Sequence, residues 1–250
     1  MGNRSSRRKG GERPEATPPD GERQPSLNGN GDGSEAVLPP RYAACELLYK
    51  AGIPAAVWLE DALSRHGVPT LVFDLFLLVP DVDAAAQVLI GAGYRRGQLS
   101  FALRNIRQFE NLYFPPRAIT ADNKHDESIP DTGVILLAAR EWFHELPATA
   151  QDMTDWFPTL PQLLTALIAK WLSLEEQESD LRLRIAVYIG YIYLYIDAVK
   201  EPGFQEQLPP EYRLFHADRL QGINTENLGE FQCQQLYLQR MKAAERLLPG

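Results

Sequence analysis

The chain has 250 residues, a hydrophobic fraction of 44% and a formal net charge of −8. A chain of this length can bury a sizeable core, as one large domain or as two small ones. The acidic balance argues against a nucleic-acid partner, because phosphate contacts need clustered lysine and arginine side chains. The two cysteines, Cys45 and Cys233, match no metal-ligand spacing. We therefore expect reduced thiols and a cytoplasmic protein.

The first 38 residues differ in composition from the rest of the chain. They are rich in Gly, Pro, Ser and charged residues, which predicts a disordered tail at 1–38. Residues 1–13 hold five basic residues and one acidic residue, a net charge of +4. The start, MGNRSS, fits the N-myristoylation pattern, with Gly2 as the acceptor and Ser6 at the required place. An acylated Gly2 followed by a basic cluster predicts peripheral membrane contact through residues 2–13.

From Pro39 the sequence alternates between helix-like and strand-like segments. In chain order, these are a helix at Arg41–Ala51, a strand at Ala55–Leu59, a short helix at Glu60–His66, an apolar strand at Leu71–Val79, a helix capped by Asp81 with Val82, Ala85, Ala86, Leu89 and Ile90 on its apolar face, and a strand at Gly133–Ala139. This alternation predicts a mixed α/β module at 39–150.

The second half is helical in pattern. Thr159 and Gln162 have the spacing of a capping box, and leucines follow at helical intervals. Two more helices are predicted near Glu178–Val199 and Gly229–Leu247. The expected organisation is a disordered tail at 1–38, the α/β module at 39–150 and a helical module at 151–250 packed on it. The predicted fold class is α+β.

The segment Gly52–Pro80, GIPAAVWLEDALSRHGVPTLVFDLFLLVP, has the order strand, short helix, turn, strand. This order resembles the core of the nucleotidyltransferase fold of the polymerase-β-like superfamily. In that family, a Gly-rich turn before the helix cradles a nucleotide triphosphate. Two aspartates, two residues apart on the second strand, hold two metal ions, and a later strand supplies a third acid.

The chain departs from that pattern where the chemistry occurs. Asp74 falls at the first aspartate position, but Phe76 stands at the second. Leu59 and Glu60 occupy the places of the glycines, and Glu60 brings negative charge to a phosphate-binding turn. Glu141 is a weak candidate for the third acid. The resemblance therefore implies a degenerate metal site at Asp74 and no resident cofactor.

Three functional hypotheses follow. The first is a non-catalytic, nucleotidyltransferase-like binding module with an unknown protein or small-molecule partner; the whole chain also resembles uncharacterised fungal proteins of this fold. The second is an active nucleotidyl- or phosphotransferase that uses Mg²⁺, a nucleotide triphosphate and a rearranged metal site. The third is an unrelated α/β adaptor. His125, in the loop Asp122–Asp131, has acidic neighbours that could bind a metal, although a solvated acidic loop explains the pattern better.

Overall fold

The fold is an α+β structure in the computed structural model, which describes residues 39–100, 103–116, 132–147, 153–221 and 230–245. The strands are β1 (Ala56–Trp58), β2 (Leu75–Val79), β3 (Arg95–Arg96), β4 (Leu112–Phe114) and β5 (Val134–Ala138). The helices are α1 (Ala43–Lys50), α2 (Glu60–Arg65), α3 (Val82–Gly91), α4 (Leu160–Ser173), α5 (Ser179–Tyr195), α6 (Pro210–Gln221) and α7 (Glu230–Glu245). Short 3₁₀ turns connect several of them.

The five strands form one mixed sheet in the order β1-β2-β5-β4-β3. Among the described strands, β2 and β5 form the parallel pair, which aligns Phe76 with Ile135. The other neighbours run antiparallel, and β1 aligns Trp58 with Phe76. A parallel pair needs a crossover connection. Here β3, β4 and α3 lie between β2 and β5 in sequence.

Both faces of the sheet are covered, which explains why β2 is apolar at every position. One face packs against α1 and α3 through Leu75, Leu77 and Val79. The other face presents Phe76 and Leu78 to a larger core. That core continues without a break into α2, α4 and α5, so the sheet and the C-terminal helices share one hydrophobic interior.

Polar side chains form hydrogen bonds with backbone groups at both ends of α4. The capping box at Thr159 and Gln162 begins α4, as its spacing predicts, with a bond of 2.9 Å from the Thr159 N–H to the Gln162 side chain. At the other end of α4, the buried side chain of Gln234 donates to the carbonyls of Trp171 and Leu174, each at 2.7 Å. Carbonyls at a helix end have no intrahelical donor, so Gln234 joins α7 to this end of α4.

The predicted α+β class is confirmed, with local differences. Asp81 caps α3 as expected, accepting from the Ala84 N–H at 3.0 Å. The prediction of a strand at Leu71–Val79 was too long, because 71–73 is an exposed loop and β2 begins at Leu75. Ile90, which the periodicity placed on the apolar face of α3, is exposed. Helix α6 was missed. In the described residues, no helix has the length and apolar character needed to span a membrane.

Candidate functional site

A cleft of about 1160 Å³ opens between the loop before β2 and the exposed side of α5. Its walls are mainly apolar. Six of the twelve large apolar side chains that are exposed in the described residues line it: Leu71, Val72, Phe73, Leu183, Val187 and Tyr191. Leu71 and Phe73 are 75% and 70% exposed. Exposed apolar side chains gathered at one place are typical of a binding surface.

Asp74 lies in this cleft, half-buried, immediately before β2. Its Oδ1 atom lies close to the backbone of Gly133, the residue immediately before β5. Burial raises the pKa of Asp74, and the Gly133 N–H and the nearby Arg41 guanidinium oppose that rise. A β-carbon at Gly133 would stand 2.6 Å from Oδ1 of Asp74, so any larger residue there would force this carboxylate to shift.

The other two positions expected to supply metal ligands, Phe76 and Glu141, place no carboxylate beside Asp74. Phe76 is buried, lines the cleft and packs on Phe109 with ring centroids 5.0 Å apart. Glu141 follows β5, whereas Asp74 precedes the parallel strand β2, so the two acids lie at opposite ends of the sheet, about 16 Å apart by strand length. Glu141 borders a different cavity of about 620 Å³. In the described part of the chain, no group of three or more His, Cys, Asp or Glu side chains could hold a metal ion.

Arg41, which the sequence analysis did not select, organises the edge of the cleft. Its guanidinium binds both carboxylate oxygens of the buried Asp61, at 2.6 and 2.7 Å. It also donates to the backbone carbonyls of Phe73 at 2.9 Å and Asp74 at 3.3 Å. One side chain thus ties α2 to the loop that carries Phe73. The charge of Arg41 is compensated by Asp61.

A second ion pair lines the cleft. Oε1 of Glu60 accepts from the Arg184 guanidinium at 3.1 Å and from the hydroxyl of Tyr188, and Arg184 also donates to that hydroxyl at 2.9 Å. Glu60 is 7% exposed, and burial raises the pKa of its carboxyl group against the opposing effects of Tyr188 and Arg184. Its second oxygen, Oε2, is buried and accepts no hydrogen bond from a described residue.

The turn between β1 and α2 has a backbone conformation that favours glycine. Leu59 has φ of 51° and ψ of −119°, a combination that a side chain with a β-carbon rarely adopts. Its side chain is nevertheless fully buried in the larger core. Sequence reasoning identified Leu59 as a replaced glycine, but only the structure reveals that the chain keeps a glycine-like turn at this position.

Two of the predicted sites fall in parts of the chain that the structure does not describe. Gly2 and residues 2–13, together with His125 and its loop, lie outside the described residues. Tyr188 is buried against Glu60, whereas Tyr191 and Tyr195 on the same helix are exposed. No local pattern in the sequence singles out Arg184, because Arg182 stands two residues before it and also follows a leucine.

Comparisons of the chain with protein-family models, with curated proteins and with solved structures give no match.

Proposed function

We propose that this protein is a non-catalytic, nucleotidyltransferase-like binding module whose ligand site is the cleft beside Asp74. The observation that supports it best is the apolar lining of that cleft at the place where the resemblance puts metal ions and a triphosphate. A cleft with apolar walls and a few polar groups is the usual form of a small-molecule site. We therefore favour a small molecule with an apolar body over a protein partner.

The charges around the cleft also favour binding without phosphoryl chemistry. The cleft-lining arginines among the described residues are both committed to buried carboxylates, Arg41 to Asp61 and Arg184 to Glu60. A triphosphate needs uncompensated cations or metal ions. Asp74 alone is too small a ligand set for two divalent ions. On this proposal, the protein has no catalytic cofactor.

A neutral fluorescent probe tests the binding site. We expect Nile red to bind at one saturable site and its emission to shift to the blue. Val187→Gln should weaken this binding about fivefold to tenfold, because an apolar contact in the wall of the cleft is lost. The matched control is Ile90→Gln, at an exposed apolar position on α3. An equal loss of affinity in both variants, or an affinity that is unchanged in both, would contradict the proposed site.

Titration calorimetry with ATP and Mg²⁺ tests the absence of nucleotidyl transfer. We expect no heat beyond dilution and no turnover of a labelled triphosphate. Turnover that disappears in Asp74→Ala would instead favour the active transferase. If the probe binds nowhere and no triphosphate is used, an unrelated α/β adaptor becomes the better hypothesis.

We also propose that acylation of Gly2 tethers the protein to anionic membranes. The support is the MGNRSS motif and the net charge of +4 over residues 1–13. The mass of the intact N-terminus is the test, and an unmodified Gly2 amine or a retained Met1 contradicts the tether. With the acyl group present, release by high salt is expected, because each basic residue contributes roughly 1 kcal/mol near an anionic surface.

A further inference from the structure

The loop between α2 and β2 exposes three consecutive apolar side chains to water. Leu71, Val72 and Phe73 all line the cleft and are all exposed. Such side chains gain free energy on leaving water, in proportion to the apolar area that is removed from it. The wall that α5 contributes to the cleft is also apolar, through the exposed Leu183 and Val187. The structure therefore shows an open cleft, with apolar side chains in water on both of its sides.

The backbone of this loop is held at its two ends and is free between them. At its start, Val68 is buried and its N–H donates to a carbonyl of α2 at 3.0 Å. At its end, the Arg41 guanidinium binds the carbonyls of Phe73 and Asp74. Within the described part of the chain, the N–H groups of residues 71–73 donate to no acceptor. A segment with few backbone hydrogen bonds and little burial changes its conformation at a low cost in free energy.

We propose, on the basis of the proposed function, that this loop is a lid that closes over an apolar ligand in the cleft. On closure, residues 71–73 move toward α5, and the side chains of Leu71 and Phe73 become buried against the ligand. Arg41 is the fixed point at the C-terminal end of the lid, because both carboxylate oxygens of the buried Asp61 hold its guanidinium. Closure removes apolar area of the ligand and of the lid from water, which raises the affinity and slows dissociation.

Hydrogen exchange of the lid, with and without Nile red, tests the closure. In the free protein, the amides of residues 71–73 should exchange at close to the rate of an unprotected chain, because they have no acceptor in the described structure. With the probe bound, their exchange should slow by about tenfold or more, since closure removes them from water. The amide of Asp83, in the first turn of α3 on the other face of the sheet, is the internal control and should exchange at an unchanged rate.

Stopped-flow fluorescence, with the protein in excess over Nile red, distinguishes a closing lid from a rigid cleft. Closure after binding is a unimolecular step, so the observed rate should level off as the protein concentration rises. Leu71→Ser should weaken binding about fivefold through faster dissociation. It should leave the melting temperature nearly unchanged, because Leu71 is 75% exposed in the free protein. The matched control is Leu194→Ser, at an exposed position of α5 that does not line the cleft, and it should keep the affinity and the dissociation rate.

The outcomes separate the lid from the proposed function. If Val187→Gln weakens saturable binding, but exchange at residues 71–73 is unchanged or the observed rate rises linearly throughout, the lid is overturned and the binding site stays in place. An equal loss of affinity in Leu71→Ser and Leu194→Ser also overturns the lid. If Nile red does not bind, or if Val187→Gln leaves its binding unchanged, the proposed function is overturned and the lid with it.

Discussion

Replacing Arg184 with methionine should destabilise the protein through the carboxylate it leaves behind. Glu60 is buried, and Arg184 is its cationic partner at 3.1 Å. Removing one partner of a buried ion pair costs about 3–5 kcal/mol, because the remaining charge is uncompensated. The Arg184 side chain is 27% exposed, so water softens this cost, and we expect about 3 kcal/mol. For a folded region of this size, the melting temperature should fall by about 6–12 °C.

The effect of Arg184→Met should depend on pH. Burial raises the folded-state pKa of Glu60 above its unfolded value, and removal of Arg184 raises it further. A carboxyl group with a raised folded pKa favours the folded state below its unfolded pKa, and this advantage is lost as pH rises through the folded pKa. The variant should therefore be more destabilised, relative to wild type, at pH 8 than at pH 5.

Urea denaturation followed by tryptophan fluorescence at the two pH values measures both effects. Arg140→Met, at an exposed position, is the control and should cost less than about 0.5 kcal/mol. The double variant Arg184→Met/Glu60→Gln should recover most of the loss at pH 8. A cost equal to that of the control, or one independent of pH, would refute the claim that Glu60 is a buried charge compensated by Arg184.

Two further predictions concern tight packing and helix ends. Gly133→Ala should destabilise the protein by about 1–3 kcal/mol in urea denaturation, because the new β-carbon would stand 2.6 Å from both the Asp74 carboxylate and Leu112. The control is Gly91→Ala, whose β-carbon meets nothing within 4 Å, and it should be neutral or stabilising. Gln234→Ala should cost about 1–3 kcal/mol and speed hydrogen exchange at the C-terminal end of α4, since the carbonyls of Trp171, Leu172 and Leu174 lose this donor. Unchanged exchange there would count against this cap.

The sequence predicted the features that depend on residues close together in the chain. The Asp81 cap and the capping box at Thr159 each involve residues three positions apart, so the pattern that predicts them lies within one turn. The apolar run Leu71–Val79 was ambiguous at its start, because hydrophobicity alone does not distinguish a buried strand from an exposed apolar loop.

The candidate site depends on contacts between residues far apart in the chain. Glu60 and Arg184 are separated by 124 positions, and Arg41 reaches Phe73 across 32. A single sequence does not show which distant residues are in contact. Asp74 could be selected because the resemblance named its position, while Arg184 and Tyr188 became visible only when α5 was placed beside α2. The apolar lining of the cleft was hidden for the same reason.

The backbone conformation of the turn before α2 can be tested by comparing alanine and glycine at Leu59, with the same two replacements at Leu63 as the control. At most buried positions, alanine is a better replacement than glycine, and at Leu63, inside α2, Leu63→Ala should be more stable than Leu63→Gly by about 1 kcal/mol. At Leu59 the order should reverse. The φ of 51° and ψ of −119° strain any residue with a β-carbon, so Leu59→Gly relieves strain that Leu59→Ala retains.

Both Leu59 variants lose the same buried contacts in the core, and each should cost a few kcal/mol relative to wild type. We expect Leu59→Gly to be the more stable of the two by about 1 kcal/mol in urea denaturation. If alanine were the better replacement at both positions, the turn would not hold its glycine-like conformation. The reversal would instead mean that this turn keeps a backbone suited to glycine while packing of the leucine side chain offsets the strain.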